Sequence, residues 1–242
     1  MRFWFLVCLA MLLFLNSQAQ DDTLRVITAT SKRKNLLKAS IVPAVLMSTA
    51  LVNYGNSGFY SSVDVRNDLR RNFPNFHTTL DDYLQFAPIA LVYGLDIVGV
   101  KAQHDWINRT IVLAKAELLA NGITQTLKYT VREQRPSGTA KESFPSGHTT
   151  QAFVSATFMH HEFGKQSVWY SILAYSMATS TGAMRMLNDR HWLSDVLAGA
   201  AIGIFSTELI YHTHQYRWGT KEMVVFPVVY KNVLGLSLQT NF

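Results

Sequence analysis

The chain has 242 residues, a net charge of +6, 48% apolar and only 16% charged residues, and a single cysteine. An ordinary soluble domain carries about 25% charged residues, so this balance leans toward a membrane or a very apolar helical core. One cysteine, Cys8, excludes a disulfide framework and cysteine-ligated zinc. The basic residues are scattered without a DNA or RNA module, so no nucleic acid is expected as a partner, and anionic lipid or phosphate suits the charge better.

The first element in chain order is an expected export signal. Met1-Arg2 precedes an apolar run over 3–15, and Asn16-Ser17-Gln18-Ala19 places small residues at Ser17 and Ala19 ahead of Asp21-Asp22. A bilayer span needs about 20 apolar residues, more than this run supplies. Residues 1–19 are therefore set apart as a signal peptide, 20–221 as one helical domain and 222–242 as a C-terminal β-hairpin.

Beyond a polar lead, apolar segments run over 36–54, 84–100, 111–127, 149–163, 168–183 and 192–211, rich in Ala, Leu, Ile and Val. Their length and composition predict helices. The polar stretch 53–82 reads as a surface loop with one amphipathic turn and no assigned chemistry. At the end of the chain, β-branched and aromatic residues over Met223–Tyr230 are followed by Leu234, Leu236 and Leu238 alternating with small or polar residues, which predicts the hairpin. The expected fold is all-α, a bundle of about six helices with a short C-terminal β-hairpin.

Lys115, Glu117 and Gln125 in the third segment and His160, His161 and Glu162 in the fourth weigh against spanning. A charge at a bilayer centre costs about 3 kcal/mol on insertion scales unless it faces an interior site. Only 36–54 and 192–211 suit a span.

Two loops carry chemistry. Lys128 and Arg135-Pro136 stand shortly before Pro145-Ser146-Gly147-His148, which opens the fourth helix. Cations beside a Ser-Gly turn at a helix N-terminus supply the positive charge and backbone N–H groups that an oxyanion needs. Between the fifth and sixth helices, Arg185 is followed by His191 and Asp195. Four residues apart, these two share one helix face, so Asp195 can fix the tautomer that leaves the other ring nitrogen free to attack. His148 is available to protonate a leaving oxygen. The pairs His160-His161 and His212/His214 are not assigned to a metal, because adjacent histidines face different ways and no carboxylate is placed beside them at ligand spacing.

The ordered patterns Lys-x6-Arg-Pro, Pro-Ser-Gly-His and Arg-x5-His-x3-Asp, over about residues 111–212, resemble the three signature motifs of the type 2 phosphatidic acid phosphatase superfamily. The resemblance implies a helical bundle, membrane-spanning in the lipid phosphatases and soluble in the class A acid phosphatases, with no metal and no cofactor. It implies that Lys128, Arg135 and Arg185 hold the phosphate oxygens with Ser146 and Gly147 donating to them. It makes His148 the general acid, His191 the nucleophile that becomes phosphohistidine, and Asp195 its orienting partner. This chain departs from the pattern at Met184, where the family usually has Ser, and in the short gap between Pro136 and Pro145. The lost hydroxyl is worth about 1 kcal/mol.

The leading expectation is a lipid-phosphate phosphatase of the bacterial envelope, acting on lipid A, a prenyl diphosphate or phosphatidylglycerol phosphate, in the inner membrane with its site facing the periplasm. A soluble periplasmic acid phosphatase is the alternative. It is motivated by the charges within helices and by a topology conflict: after signal cleavage, three crossings would put Lys128 in the cytoplasm. A vanadate-dependent haloperoxidase shares the phosphate-shaped pocket, but the chain is short for one. A protein that only binds lipid is opposed by the intact His148, His191 and Asp195.

Overall fold

The computed structural model describes residues 35–58 and 60–216, with the backbone alone of 223–230 and 233–240. Contacts divide the chain into residues 1–37 and 38–242. In the first unit only 35–37 are described, as helix, and the expected signal over 1–19 lies outside the described residues. The second unit holds the site.

Among the described residues eight helices follow in it: α1 (Ile41–Val52), α2 (Ser62–Asn72), α3 (Leu80–Leu84), α4 (Ala87–Ile97), α5 (Trp106–Val131), α6 (Gly147–Phe163), α7 (Val168–Leu187) and α8 (Leu193–Thr213). The fold shown is thus all-helical, with two more helices than the apolar segments suggested. Both extra helices, α2 and α3, begin in the stretch 53–82 expected to be a loop. Ser61 caps α2 by accepting from the Asp64 N–H while the Asp64 carboxylate accepts from the Ser61 N–H, a reciprocal capping box that needs no apolar face. Arg70 and Arg71 sit in the last turn of α2, where the helix dipole favours cations.

The backbone over Met223–Tyr230 and Val233–Thr240 runs antiparallel, with Met223 opposite Thr240. The expected C-terminal hairpin is nevertheless not supported, since its turn, Lys231-Asn232, and every side chain of its alternating pattern lie outside the described residues.

Helix α6 is the centre of the bundle, packed by α4, α5, α7 and α8, while α8 also meets α1. Its buried Ala152, Ala156, Phe158, Met159 and Phe163 join Val92, Val112, Ala174 and Ala178 in one cluster. The α6–α8 contact is unusually close. A Cβ on Gly199 would stand 2.7 Å from the Ser146 carbonyl oxygen, and one on Gly203 would stand 2.5 Å from that of Thr150, so both positions exclude any side chain.

Two helices among the described residues are long and apolar enough to cross a membrane, Asn35–Val52 and Leu193–Thr213, matching the two segments singled out from sequence. They differ in setting: 67% of the window in α8 is buried within the bundle, against 11% for Asn35–Val52. A core helix of a water-soluble protein would share the burial of α8.

The ionisable residues of the helices divide. Glu162 is 1% exposed and accepts from the His104 backbone N–H (3.0 Å) and the Tyr211 hydroxyl (2.6 Å), with the His104 ring at 2.9 Å. His104, in the loop between α4 and α5, closes a buried polar cluster. Lys115 and His160, expected to turn inward if the bundle spans a bilayer, stay exposed.

Candidate active site

The C-terminal turn of α5 carries Lys128, and the helix stops at Arg132, whose φ of 52° is left-handed. The following loop closes on itself through the Arg135 N–H donating to the Ala140 carbonyl (2.9 Å) and the Gly138 N–H donating to that of Arg135 (2.9 Å). Lys128 Nζ meanwhile donates to the Glu142 carbonyl at 2.6 Å. Burial and the neighbouring Arg135 hold the Lys128 ammonium below its ordinary pKa. Burial, Arg185 and Arg190 do the same to Arg135. A hollow of about 330 Å³, lined by Lys128, Tyr129, Arg132, Ala140, Lys141 and Glu142, opens beside this loop.

Ser146 is the N-cap of α6, its Oγ accepting from the Thr149 N–H and from the Thr149 hydroxyl at 2.9 Å. Its backbone N–H donates to the Asp195 carbonyl at 3.0 Å and so ties α6 to the start of α8. That bond changes the expected role of Ser146: its N–H is committed, which leaves the hydroxyl proton and the Gly147 N–H as the donors this turn can offer an anion.

His191 and Asp195 are in contact as expected, Nδ1 to Oδ2 at 3.2 Å, although not across one helix face. His191 precedes α8, Trp192 is the N-cap, and Asp195 reaches back from the first turn, where its Oδ2 also accepts from the Trp192 N–H at 2.9 Å and from the Ser143 hydroxyl. His191 is 3% exposed and Asp195 0%. Burial lowers the His191 pKa to about 4, with Arg185 and Lys128 adding to the effect against the opposing pull of Asp195. The imidazole is therefore neutral at pH 7 with Nδ1 engaged, which makes Nε2 a free base.

Arg185, in the last turn of α7, is 7% exposed. The Nε groups of Arg135 and Arg185 are buried donors without a partner among the described residues, which is what a guanidinium reserved for an outside anion looks like. His148 lies one residue into α6, beside Arg185. All eight residues singled out from sequence thus gather at one end of the bundle, where α5 ends and α6 and α8 begin.

The sequence reading missed the residues that hold these in place. Asp81, 1% exposed on α3, accepts from Arg185 at 2.7 Å, and Asp82 lies 2.8 Å from His148 Nε2. Asn188 braces the turn, donating to the Thr78 carbonyl (2.9 Å) and to Asp81 (3.3 Å). Arg66 of α2 makes two bonds, 2.7 and 2.9 Å, to Asp189, which stands at φ 55° between Arg185 and His191. The stretch expected to carry no chemistry therefore supplies two carboxylates to the site and one clamp behind it. An acidic pair in a helix's first turn, Asp81-Asp82, was the only local signal.

No grouping of three ligating side chains among the described residues suits a metal ion. Glu208 nonetheless corrects the expectation that the distal histidines lack a carboxylate neighbour, since it lies 3.2 Å from His161 and 3.5 Å from His212.

A helical bundle that collects cations around a buried His-Asp pair defines a class, and residues 109–219 match the family described as PAP2 superfamily. The match is confined to those residues, which span α5 to α8 and the loops that carry the site. Among relatives, a protein described as lipid A 1-phosphatase from Porphyromonas gingivalis is 41% identical over 138 residues, 57% of this chain and 31% of its own. The chain thus spans about a third of that relative's length. Two solved structures have a similar course: Aquifex aeolicus LpxE (22% identity, TM-score 0.47, 60% of this chain and 93% of that one) and the transmembrane PAP2-type phosphatidylglycerolphosphate phosphatase of Bacillus subtilis (18%, TM-score 0.43, 76% and 99%).

Proposed function

We propose that this chain is an envelope phosphatase that hydrolyses a phosphate ester of a lipid through a phosphohistidine formed on His191. The observation that carries the reading is the set of cations, Lys128, Arg135 and Arg185, drawn around a buried neutral His191 backed by Asp195. Cations fixed in a partly desolvated site stabilise the charge on the equatorial phosphoryl oxygens, the work a metal does elsewhere. His191 Nε2 attacks phosphorus, His148 gives its proton to the departing oxygen, and water then takes the phosphoryl group with His148 as base. Ser146 and Gly147 donate to the phosphate at the N-terminus of α6. Asp195 orients His191 and offsets the positive charge that the phosphorylated ring carries.

The lipid substrate is supported by the superfamily and by the name of the relative from Porphyromonas gingivalis, which puts lipid A ahead of a prenyl diphosphate or phosphatidylglycerol phosphate. Membrane residence is supported by Asn35–Val52 and by large apolar side chains left exposed, such as Ile41, Val45 and Leu118. Residues 1–19 as a signal, 20–221 as the catalytic domain, 222–242 as a hairpin and a site on the periplasmic face belong to the same reading. Exposed Lys115 and His160 favour the soluble periplasmic acid phosphatase as its rival.

The test assays salt-washed membranes and osmotic-shock fluid for phosphate released from lipid A, undecaprenyl diphosphate, phosphatidylglycerol phosphate and p-nitrophenyl phosphate. Activity should stay with the membranes, prefer a lipid substrate, survive EDTA and fall with vanadate. Activity in the shock fluid with preference for the soluble ester favours the rival. Loss on chelation restored by a divalent ion overturns the mechanism.

The pH dependence follows from the two histidines. His191 must be neutral, so kcat/KM falls on the acid side as pH drops through about 4. His148 must be protonated, and burial followed by Arg185 holds it below the ordinary 6.5, so kcat/KM falls on the basic side before that value is reached. The expected profile is a bell on the acid side of neutrality. Asp82 opposes the depression of His148, so Asp82→Asn should move the basic limb to lower pH, and a limb that moves upward would contradict the assignment.

A further inference from the structure

Behind the His191–Asp195 pair lies a second carboxyl group. Glu133 stands in the loop after α5, and its backbone carbonyl accepts from the Ser143 N–H at 2.9 Å. The Ser143 hydroxyl points the other way and donates to Asp195 Oδ2. Ser143 thus ties the Glu133 backbone to the Asp195 carboxylate, and the Glu133 side chain lies against those of Asp195 and Tyr54.

The two oxygens of Asp195 are treated very differently. Oδ2 takes three contacts, from Ser143, the Trp192 N–H and His191 Nδ1. Oδ1 is buried with no donor among the described residues, and Glu133 Oε2 is buried in the same condition. Two neighbouring carboxyl groups, each with an orphaned buried oxygen, are the pattern left when a carboxyl proton is what joins them. A buried acceptor without a donor costs about 1–3 kcal/mol, and two ionised carboxylates in contact cost more, whereas a single shared proton satisfies both oxygens at once.

We propose that Glu133 is a positioning residue that stays protonated and donates to Asp195 Oδ1, holding that carboxylate in the plane from which Oδ2 steers His191. This inference rests on the reading of His191 as nucleophile. Burial is the main cause that raises the Glu133 pKa far above the usual carboxylate range, and the Asp195 charge adds to it. Tyr54 is itself pushed up to about 12, chiefly by burial, so it stays a neutral phenol. The arrangement leaves one net negative charge behind His191 instead of two. One charge balances the cationic phosphorylated ring without adding an uncompensated one in a buried site.

The experiment measures kcat and KM on lipid A in detergent micelles for the wild type, Glu133→Ala, Glu133→Gln and His191→Ala, with thermal melts of each. Infrared spectra of the wild type and Glu133→Gln are compared for the carbonyl band of a protonated buried carboxylic acid. Glu133→Ala should lose about 10²-fold in kcat at nearly constant KM, the size of effect that a misplaced reacting group produces. Glu133→Gln should recover to within about threefold of the wild type, because its amide N–H donates where the acid did. The band should be present in the wild type and missing in Glu133→Gln. Equal loss in the Gln and Ala variants, an Ala variant as fast as the wild type, or no such band in the wild type overturns the proposal. If Glu133→Ala does not fold, the Gln variant and the band decide. Full turnover in His191→Ala would instead overturn the nucleophile, a separate failure.

Discussion

Replacing His191 by Ala should lower turnover by about 10⁴- to 10⁶-fold, the loss that follows when a covalent nucleophile has no substitute. Arg185 and Lys128 beside it are cations, and Asp195 keeps Oδ2 occupied by Ser143, the Trp192 N–H and His191. The His191 ring is 3% exposed, so its removal also leaves a cavity and an acceptor with one donor fewer. A thermal melt beside the assay separates lost chemistry from lost stability. The positive signature is acid-labile phosphate on the quenched wild-type protein and none on His191→Ala. Wild-type turnover in the variant sinks the assignment.

His148→Ala should cost about 10²- to 10⁴-fold on substrates with poor leaving groups, the usual contribution of a general acid. The loss should shrink as the leaving group becomes more stable, since a stable anion departs without help. In the structure His148 Nε2 lies 2.8 Å from Asp82, a half-exposed carboxylate, while Arg185 is held by the buried Asp81. Asp82 can swing away into solvent, whereas removing Arg185 would strand a buried charge and cost roughly 3–5 kcal/mol of stability. For that reason His148 is the cleaner probe of the leaving step. Phosphohistidine should still form slowly in His148→Ala with an activated ester, seen as a burst of leaving group. A loss independent of leaving group would place His148 in binding alone.

How much of this could be read from the residues depended on sequence distance. Ser146, Gly147 and His148 are neighbours at a helix start, and His191 and Asp195 are four apart, so local geometry joins them. The helices of the apolar segments were legible for the same reason, since periodic composition is a local property. Asp81 and Arg185 are 104 residues apart and Arg66 and Asp189 are 123, and no spacing rule connects such pairs. Helix α2 went unread because it is held by a cap and a clamp rather than an apolar face. Glu133 sat inside the first motif among its unspecified positions, where an acid near a helix end reads as a solvated charge. Glu162 was weighed as an obstacle to membrane insertion, yet its partners, His104 and Tyr211, come from two other segments of the chain.

The close approach of α6 and α8 has a consequence for reactivity. Both helices begin at the site, one with Ser146 and His148 and the other with His191 and Asp195, so the gap between their axes is also the gap between the Ser146 turn and the His191 ring. Gly199 and Gly203 fix that gap by what they lack: a methyl group at either would meet a backbone oxygen at 2.7 or 2.5 Å and force the helices apart. A displacement of about 1 Å at reacting atoms costs on the order of 10²-fold in rate. Two residues outside the proposed phosphate site therefore act as the spacer that sets the reach of the nitrogen proposed to attack.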